Sequence, residues 1–291
     1  MRTLLLLCTV LSVSNVLCAS ELIADGAELI KVADGFQFTE GGARDAQGHV
    51  YFTDLRNNRI HKWDHKTGQI TTFKEDSRSA NGCWLDDQGN LIVAEGQGRA
   101  LAIIKADGSR TTLVSQYQGK KFNSPNDLWG DKQGGIYFTD PHYGRGRDEM
   151  ELDGEHVYYL ASDRKTLTRV ADDLVRPNGI IGSLDGKTLY VADAGAKKTY
   201  AYDIGADGSL SNKRLFIPEG SDGLTLDAKG NLYLTNTAVR IFNASGTFLE
   251  QIEVPRPTNV CFAGADGKTL FITARSTVYT LRMKVQGGSV N

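Results

Sequence analysis

One short pattern occurs six times along the sequence, and this repetition limits the folds that the chain can adopt. Each copy begins with a polar residue, continues to an Asp-x-x-Gly or Asp-Gly turn and then enters an apolar run. Gly supplies the positive φ that tight hairpin turns require. Each copy is therefore predicted to be a β-hairpin, and the copies span 39–54, 80–95, 125–140, 177–193, 221–236 and 258–274.

Further strand-like runs follow the hairpins, so that a complete repeat contains four strands. The sixth repeat has no fourth run before the chain ends, but the segment 27–35 precedes the first hairpin and can supply it. Repeats of about 40 residues with four strands each are typical of β-propellers. The sequence therefore predicts an all-β fold, a six-bladed β-propeller whose last blade is closed by an N-terminal strand. An open β-solenoid is the alternative, and a strand exchanged between the termini favours the closed ring.

The N-terminal segment 1–19 differs from the rest of the chain. One Arg is followed by an apolar run over 4–13 and then by small residues, which is the order of a secretory signal peptide. A buried N-terminal helix and a lipoprotein signal with Cys18 as the lipidated residue are the alternatives. We expect a cleaved signal peptide at 1–19, a single propeller domain at 20–291 and a periplasmic or secreted protein.

The composition excludes several classes of partner. The chain has 33 basic and 35 acidic side chains, a formal net charge of -2, and so lacks the basic excess of a nucleic-acid-binding protein. No segment after the signal is apolar for long enough to span a membrane. Cys83 and Cys261 are expected to be buried free thiols, because two distant cysteines do not make a disulfide framework. We expect a monomer or a weak homo-oligomer with a small-molecule partner.

The second residue of every copy carries a side-chain oxygen. Inner strands of propeller blades start at one face, here called the upper face, so these residues are expected to surround the central axis. They are Glu40, Asn81, Asn126, Asn178, Asp222 and Asn259. Two carboxylates and four amides suit Ca²⁺, whereas Mg²⁺ or Mn²⁺ could also bind and Zn²⁺ is less expected.

A ring of Asx-type turns that cap the strand starts is the alternative explanation. It accounts for Asn and Asp but not for Glu40, and it leaves two carboxylates near one axis without a partner charge. Asn81 and Asn259 are the weaker members, which contact a cation through water or not at all. Asp127, next to Asn126, is given no role because most of its equivalents are Gly.

Other acidic residues at the hairpin ends are interpreted as structural. In the turns of the opposite, lower face these are Asp45, Asp87, Asp131, Asp185, Asp227 and Asp266, and at the ends of second strands they are Asp54, Asp140 and Asp193. The longest upper loop, 141–156, is a candidate lid. It contains His142, Tyr143 and Arg145, which we expect to contact a substrate together with Asn81 and Asn126.

Several motifs of the sequence resemble those of the gluconolactonase/regucalcin family of six-bladed propellers. They are FTEG at 38–41, SPNDL at 124–128, YFTDP at 137–141, RPNG at 176–179 and SDGL at 221–224. The resemblance implies that Glu40, Asn178 and Asp222 bind a divalent cation. It also implies that Asn126 binds the cation or the substrate, and that Asp222 is the general base or acid.

The family resemblance implies a divalent-metal-dependent hydrolase, a gluconolactonase-type lactonase with a small-molecule lactone as its substrate. A metal-polarised carbonyl and an activated water would open the lactone. The alternatives are a phosphotriesterase or esterase at the same metal site, and a non-enzymatic ligand-binding propeller with a structural Ca²⁺. The chain departs from the family where Pro and then Trp commonly follow the Glu, because Gly42 and Arg44 stand there.

Overall fold

Antiparallel strands make up nearly all of the regular structure. The computed structural model describes residues 20–143 and 150–288. Within these ranges the only helix is a 3-10 turn at Leu55–Asn57, and no helix there is long and apolar enough to cross a membrane. The signal peptide expected at 1–19 and Arg145 lie outside the described residues and stay predictions.

The strand bounds agree with the predicted repeats. Strands of the first three repeats are β1 Ile30–Arg44, β2 Val50–Asp54, β3 Arg59–Trp63, β4 Ile70–Glu75, β5 Ala80–Leu85, β6 Leu91–Glu95, β7 Ala100–Ile104, β8 Arg110–Val114, β9 Gln116–Tyr117, β10 Lys120–Lys121, β11 Leu128–Gly130, β12 Ile136–Asp140, β13 His156–Leu160 and β14 Leu167–Ala171. Those of the last three are β15 Pro177–Gly182, β16 Thr188–Asp193, β17 Lys198–Ile204, β18 Leu210–Ile217, β19 Leu224–Leu226, β20 Leu232–Thr235, β21 Val239–Phe242, β22 Phe248–Ile252, β23 Asn259–Ala263 and β24 Thr269–Arg282.

Repeats two to five each form one four-stranded sheet in chain order. In the described part of the chain these sheets are β5–β8, β11–β14, β15–β18 and β19–β22, and β9 and β10 form a separate small hairpin. The strands within each sheet pair antiparallel. This up-and-down order is the blade architecture of a β-propeller, as the repeats predict.

The first and last repeats do not form two separate sheets. They share one six-stranded sheet in the order β23-β24-β1-β2-β3-β4, so the described residues contain five sheets of four or more strands rather than the predicted six. The reason is that β1 and β24 are long strands that change partner midway. β1 pairs with β24 over its first part, Ile30 to Thr39, and with β2 from Thr39 onwards. The predicted pairing of the N-terminal strand with the last repeat is present.

The core lies between neighbouring sheets, and the second strand of a repeat is buried on both faces. Every residue of β6 and β12 is buried, whereas the outer strands β4 and β8 contain only partly buried and exposed residues. Trp129 is 2% exposed and stacks on Tyr137, and a Cβ at Gly182 of the next repeat would clash with its ring. Burial of one such large side chain stabilises the fold by roughly 1.5–3 kcal/mol.

Carboxylates fix the turns of the lower face. The Asp45 carboxylate accepts hydrogen bonds from the backbone N–H groups of Gln47 and His49, at 3.0 and 2.9 Å. In the second repeat, Asp86 accepts the equivalent bonds. The assignment of this role to Asp87 is therefore wrong, because Asp86 is the residue that stands three positions before the turn Gly89.

Candidate functional site

Four members of the predicted ring contact one another at the upper end of the inner strands. The Asn178 amide donates to the Asp222 carboxylate at 2.7 Å, and the Glu40 and Asp222 carboxyl groups lie close enough to interact electrostatically. The Asn259 amide lies 3.5 Å from the Glu40 carboxylate. Residues from the first, fourth, fifth and sixth repeats thus converge as the repeat symmetry predicts.

Acidic residues at the ends of second strands hold the segments that lead into the ring. Asp54 accepts hydrogen bonds from the backbone of residues 37 and 38, Asp140 from residues 123 and 124, and Asp193 from residues 175 and 176. These segments end two residues before Glu40, Asn126 and Asn178, respectively. The structural role predicted for the three Asp residues is therefore present, and it positions the ring.

Buried threonines join neighbouring repeats at the same level. The Thr139 hydroxyl donates to the backbone carbonyl of Asn178 at 2.8 Å, and the Thr53 hydroxyl donates to that of Asn81 at 2.9 Å. Each bond ties the second strand of one repeat to the inner strand of the next. The sequence analysis overlooked these residues, although Thr follows Phe and precedes Asp in both FTD motifs.

Burial dominates the electrostatics of the ring. It raises the pKa of Glu40 well above its usual value, and the nearby charges of Asp222 and Asp127 raise it further. Burial likewise raises the pKa of Asp222 to about 6, although the Asn178 amide opposes the shift. Two neighbouring carboxyl groups, one buried and one partly buried, are stabilised by a shared proton or by a cation between them.

Asp127 belongs to this site, contrary to the expectation from sequence. It is 8% exposed, burial raises its pKa to about 7, and it interacts electrostatically with Asp222 and through a hydrogen bond with the Asn259 amide. Four of its five equivalents are Gly, and one of them, Gly82, has no room for a Cβ beside the Asp127 carboxylate. The glycines leave space near the axis, and Asp127 projects a third carboxylate into it.

The donor set fits a hard divalent cation. The ring offers carboxylate oxygens from Glu40 and Asp222 and an amide oxygen from Asn178, which are the ligand types that Ca²⁺ binds. Asn126 is 6% exposed, and its side-chain amide makes no hydrogen bond to the described residues, so it is available to a ligand. No group of three or more His, Cys, Asp or Glu side chains in the described ranges is arranged to hold a metal.

A cavity of about 900 Å³ opens above the ring. Asn178 and Asp222 lie in its wall, as does Tyr143 from the predicted lid. The Tyr143 hydroxyl accepts a hydrogen bond from the Asn178 amide at 2.7 Å, and the Arg176 guanidinium lies 5.1 Å from the centre of the Tyr143 ring. The cavity is large enough for a small organic substrate.

The other two predicted substrate contacts are placed differently. Asn81 lies at the upper end of β5 and is partly buried, and its side chain makes no hydrogen bond to the ring members among the described residues. The backbone N–H of His142 donates to Glu155, and the described lining of the 900 Å³ cavity does not include His142. Their contact with substrate stays a prediction.

A second cavity, of about 610 Å³, lies on the axis below the ring. Asp127 and Asn259 form part of its lining, together with Cys83 and Cys261. Both thiols are buried and free, as predicted, and burial raises the pKa of Cys83 to about 12. These thiols are therefore protonated and unreactive at neutral pH.

The fold and the ring together define a propeller with a carboxylate–amide site on its axis. The SMP-30/Gluconolactonase/LRE-like region matches residues 38–276, and the chain belongs to this family. It is 31% identical to a gluconolactonase of Zymomonas mobilis, over 88% of this chain and 81% of that protein. It is 28% identical to a lactonase of Staphylococcus saprophyticus, over 74% of this chain and 69% of that protein.

A solved gluconolactonase from Xanthomonas campestris has a similar structure. The TM-score is 0.84 at 32% sequence identity, and the superposition covers 90% of this chain and 91% of that one. The expected family is thus confirmed, and the relatives support a lactone hydrolase as the class of enzyme.

Proposed function

We propose that this protein is a divalent-metal-dependent lactonase that opens sugar lactones. The observation that carries the proposal is the cluster formed by the buried Glu40 carboxyl group, the partly buried Asp222 carboxyl group and the Asn178 amide, of which Asn178 and Asp222 lie in the wall of a substrate-sized cavity. Gluconolactonase and lactonase relatives support the substrate class. We further propose that the six-stranded sheet comprises two blades, which gives a six-bladed ring.

The residues of the ring have separate tasks in this proposal. Glu40, Asn178, Asp222 and Asn126 would hold the cation, with Ca²⁺ as the expected ion. A bound divalent cation polarises the lactone carbonyl and stabilises the negative charge that develops on its oxygen. Asp222 takes a proton from the attacking water, and the Tyr143 hydroxyl, next to Asn178, orients substrate hydroxyl groups.

The remaining expectations also stand as proposals. We propose export to the periplasm or beyond through a cleaved signal at 1–19, and a monomer or weak homo-oligomer. Comparison of the cellular location of the full-length chain with that of a chain beginning at Ser20 tests export. Identical fractionation of the two chains contradicts it.

A substrate panel tests the proposed activity. The mature protein, residues 20–291, is treated with EDTA, dialysed and supplied with Ca²⁺, Mg²⁺, Mn²⁺ or Zn²⁺. Each form is then assayed on a δ-lactone, a γ-lactone and an aryl phosphotriester. We expect lactone hydrolysis that EDTA abolishes and Ca²⁺ restores. Faster hydrolysis of the phosphotriester would favour the esterase alternative. Metal-dependent thermal stability without hydrolysis of any panel member would favour a binding protein.

A further inference from the structure

Three basic side chains line the 900 Å³ cavity and form no ion pair with an acidic side chain of the described residues. They are Lys197, Arg256 and Arg275. The fourth basic residue of the lining, Arg240, differs because its guanidinium lies 2.7 Å from the Glu219 carboxylate. The cavity lining therefore contains four basic side chains against two acidic ones, Glu219 and Asp222, and so carries an excess of positive charge.

The backbone at these three positions is strained. Lys197, Arg256 and Arg275 all have φ of 54°, in the left-handed region that disfavours residues with a Cβ and that glycine adopts without strain. Arg256 stands between Pro255 and Pro257, and a residue before proline normally prefers extended backbone. Eight other non-glycine residues of the described chain, Arg164 among them, also have left-handed φ values, so this conformation shows where glycine can replace a side chain without backbone strain.

The cations lie close enough to act on the ring. Arg275 lines the same cavity as Asp222 of the ring. Its guanidinium also lies 5.4 Å from the centre of the Phe38 ring, two residues before Glu40, and this contact limits its movement. A substrate group that binds these cations would place its reacting carbon within reach of the ring carboxylates.

We propose that the cavity selects lactones that carry an anionic substituent, such as a phosphate, sulfonate or carboxylate, which Lys197, Arg256 and Arg275 bind. This inference rests on the lactonase function proposed above. Hydrogen bonds between a cationic donor and an anion are about twice as strong as neutral ones, and guanidinium groups match the geometry of these oxyanions. A neutral lactone would leave the three cations without a partner.

Substrate preference tests the proposal directly. The parent protein is assayed with D-glucono-δ-lactone, its 6-phosphate and its 6-sulfonate analogue, and a lactone of glucaric acid supplies the carboxylate. We expect kcat/KM for at least one anionic lactone to exceed that for the neutral lactone by about tenfold or more, because charge-assisted hydrogen bonds are stronger than neutral ones. The preference should decrease as salt concentration rises.

Glycine substitutions separate a binding role from a structural one. In Lys197→Gly, Arg256→Gly and the double variant, the ratio of kcat/KM for the anionic lactone to kcat/KM for the neutral lactone should fall towards one. Tm should stay the same or rise, because glycine relieves the left-handed strain. Arg164→Gly is the matched control: Arg164 also has a left-handed backbone, at φ 57°, but lies in the lower turn between β13 and β14, so its variant should keep the parental preference.

Product binding keeps this test independent of catalysis. Calorimetry with 6-phosphogluconate and gluconate should show tighter binding of the phosphate, and the double variant should lose the difference. An equal preference for neutral and anionic lactones, or a preference that the double variant retains, overturns the proposal while lactonase activity stands. Hydrolysis of no lactone, together with selective binding of 6-phosphogluconate, would instead refute the proposed function and leave an anion-binding cavity.

Discussion

The two ends of the inner hairpins carry the same residue types in different surroundings. At the lower end, Asp45 and Asp227 accept hydrogen bonds from backbone N–H groups within four residues of themselves. At the upper end, Glu40 and Asp222 contact each other across the axis from different repeats. The lower carboxylates complete a local turn, whereas Glu40 and Asp222 each lie beside another carboxyl group.

This difference indicates that the lower carboxylates stabilise the fold and that the upper carboxylates serve the functional site. A carboxylate whose oxygens are satisfied by its own turn contributes to folding and has little left for a ligand. A buried carboxylate beside another carboxylate lowers the stability of the fold and is available to bind a cation or to accept a proton. Substitutions at the two ends should therefore change different measurements.

The largest effect is expected at the upper end, on activity. In Asp222→Asn, kcat for lactone hydrolysis should fall about 1,000-fold, or about 4 kcal/mol in the barrier, because the amide cannot accept a proton from water. Tm should not fall, because the substitution removes repulsion with Glu40. Steady-state kinetics and thermal unfolding measure both quantities, with the exposed Asp87→Asn as control. Activity within tenfold of the parent would contradict the role of Asp222.

The next effect is expected at the lower end, on stability. Asp227 is fully buried and accepts hydrogen bonds from two backbone N–H groups, the Asn231 amide at 2.7 Å and the Tyr233 hydroxyl at 3.1 Å. Asp227→Ala leaves these donors unsatisfied and should lower the free energy of unfolding by about 3 kcal/mol. Urea unfolding measures the loss.

Asp185→Ala, in an exposed lower turn, is the control for this prediction and should cost less. The Asp227 variant should keep the kcat of the parent per folded molecule. A selective loss of activity with unchanged stability would mean that the two ends of the hairpin are not separated in function.

Titration of a buried upper carboxyl group sharpens the comparison. Burial raises the pKa of Asp140 to about 7, although the backbone N–H groups of Asn123 and Ser124 oppose this. Above pH 4 the folded chain thus holds a proton that the unfolded chain releases, and stability falls as pH rises. The expected loss between pH 5 and pH 7 is about 2 kcal/mol. Urea unfolding in EDTA should show a smaller loss in Asp140→Asn, and an identical slope would refute this assignment.

The smallest effect separates two adjacent residues of one lower turn. Asp86 accepts backbone hydrogen bonds from Gln88 and Asn90, whereas the exposed Asp87 accepts none from the described residues. Asp86→Ala should therefore lower the free energy of unfolding by about 1 kcal/mol, and Asp87→Ala should change it by less than about 0.5 kcal/mol. Equal losses of stability in the two variants, measured by chemical denaturation, would contradict the assignment of the turn role to Asp86 rather than Asp87.

Local patterns made the hairpins predictable. Gly at each turn and the apolar run after it determine backbone conformation within a few residues, so the strand bounds follow from sequence. The six-stranded sheet was not predictable in this way. β1 and β24 could each end at the blade boundary or continue across it. The outcome depends on packing between the first and last repeats, which a local sequence pattern does not predict.

The ring residues were predictable from the alignment of the repeats, whereas the hairpins were predictable from local turn patterns. Repeat symmetry places Glu40 and Asp222 at equivalent positions, so their convergence could be derived by alignment of the copies. The same alignment misled at Asp127, because an exception to a column of glycines was taken as unimportant. Space left by small residues near an axis is itself a signal, since a single longer side chain can fill it.

The pairing of β1 with β24 also sets the order in which the molecule can be completed. Ile30 pairs with Thr280, which lies 250 residues later in the chain. At a synthesis rate of about 5–20 residues per second, the first part of β1 waits roughly 12 to 50 seconds for its partner. During that time it is an open strand edge, able to pair with other chains. A polypeptide that ends before residue 275 would keep this edge permanently, and aggregation is its expected fate.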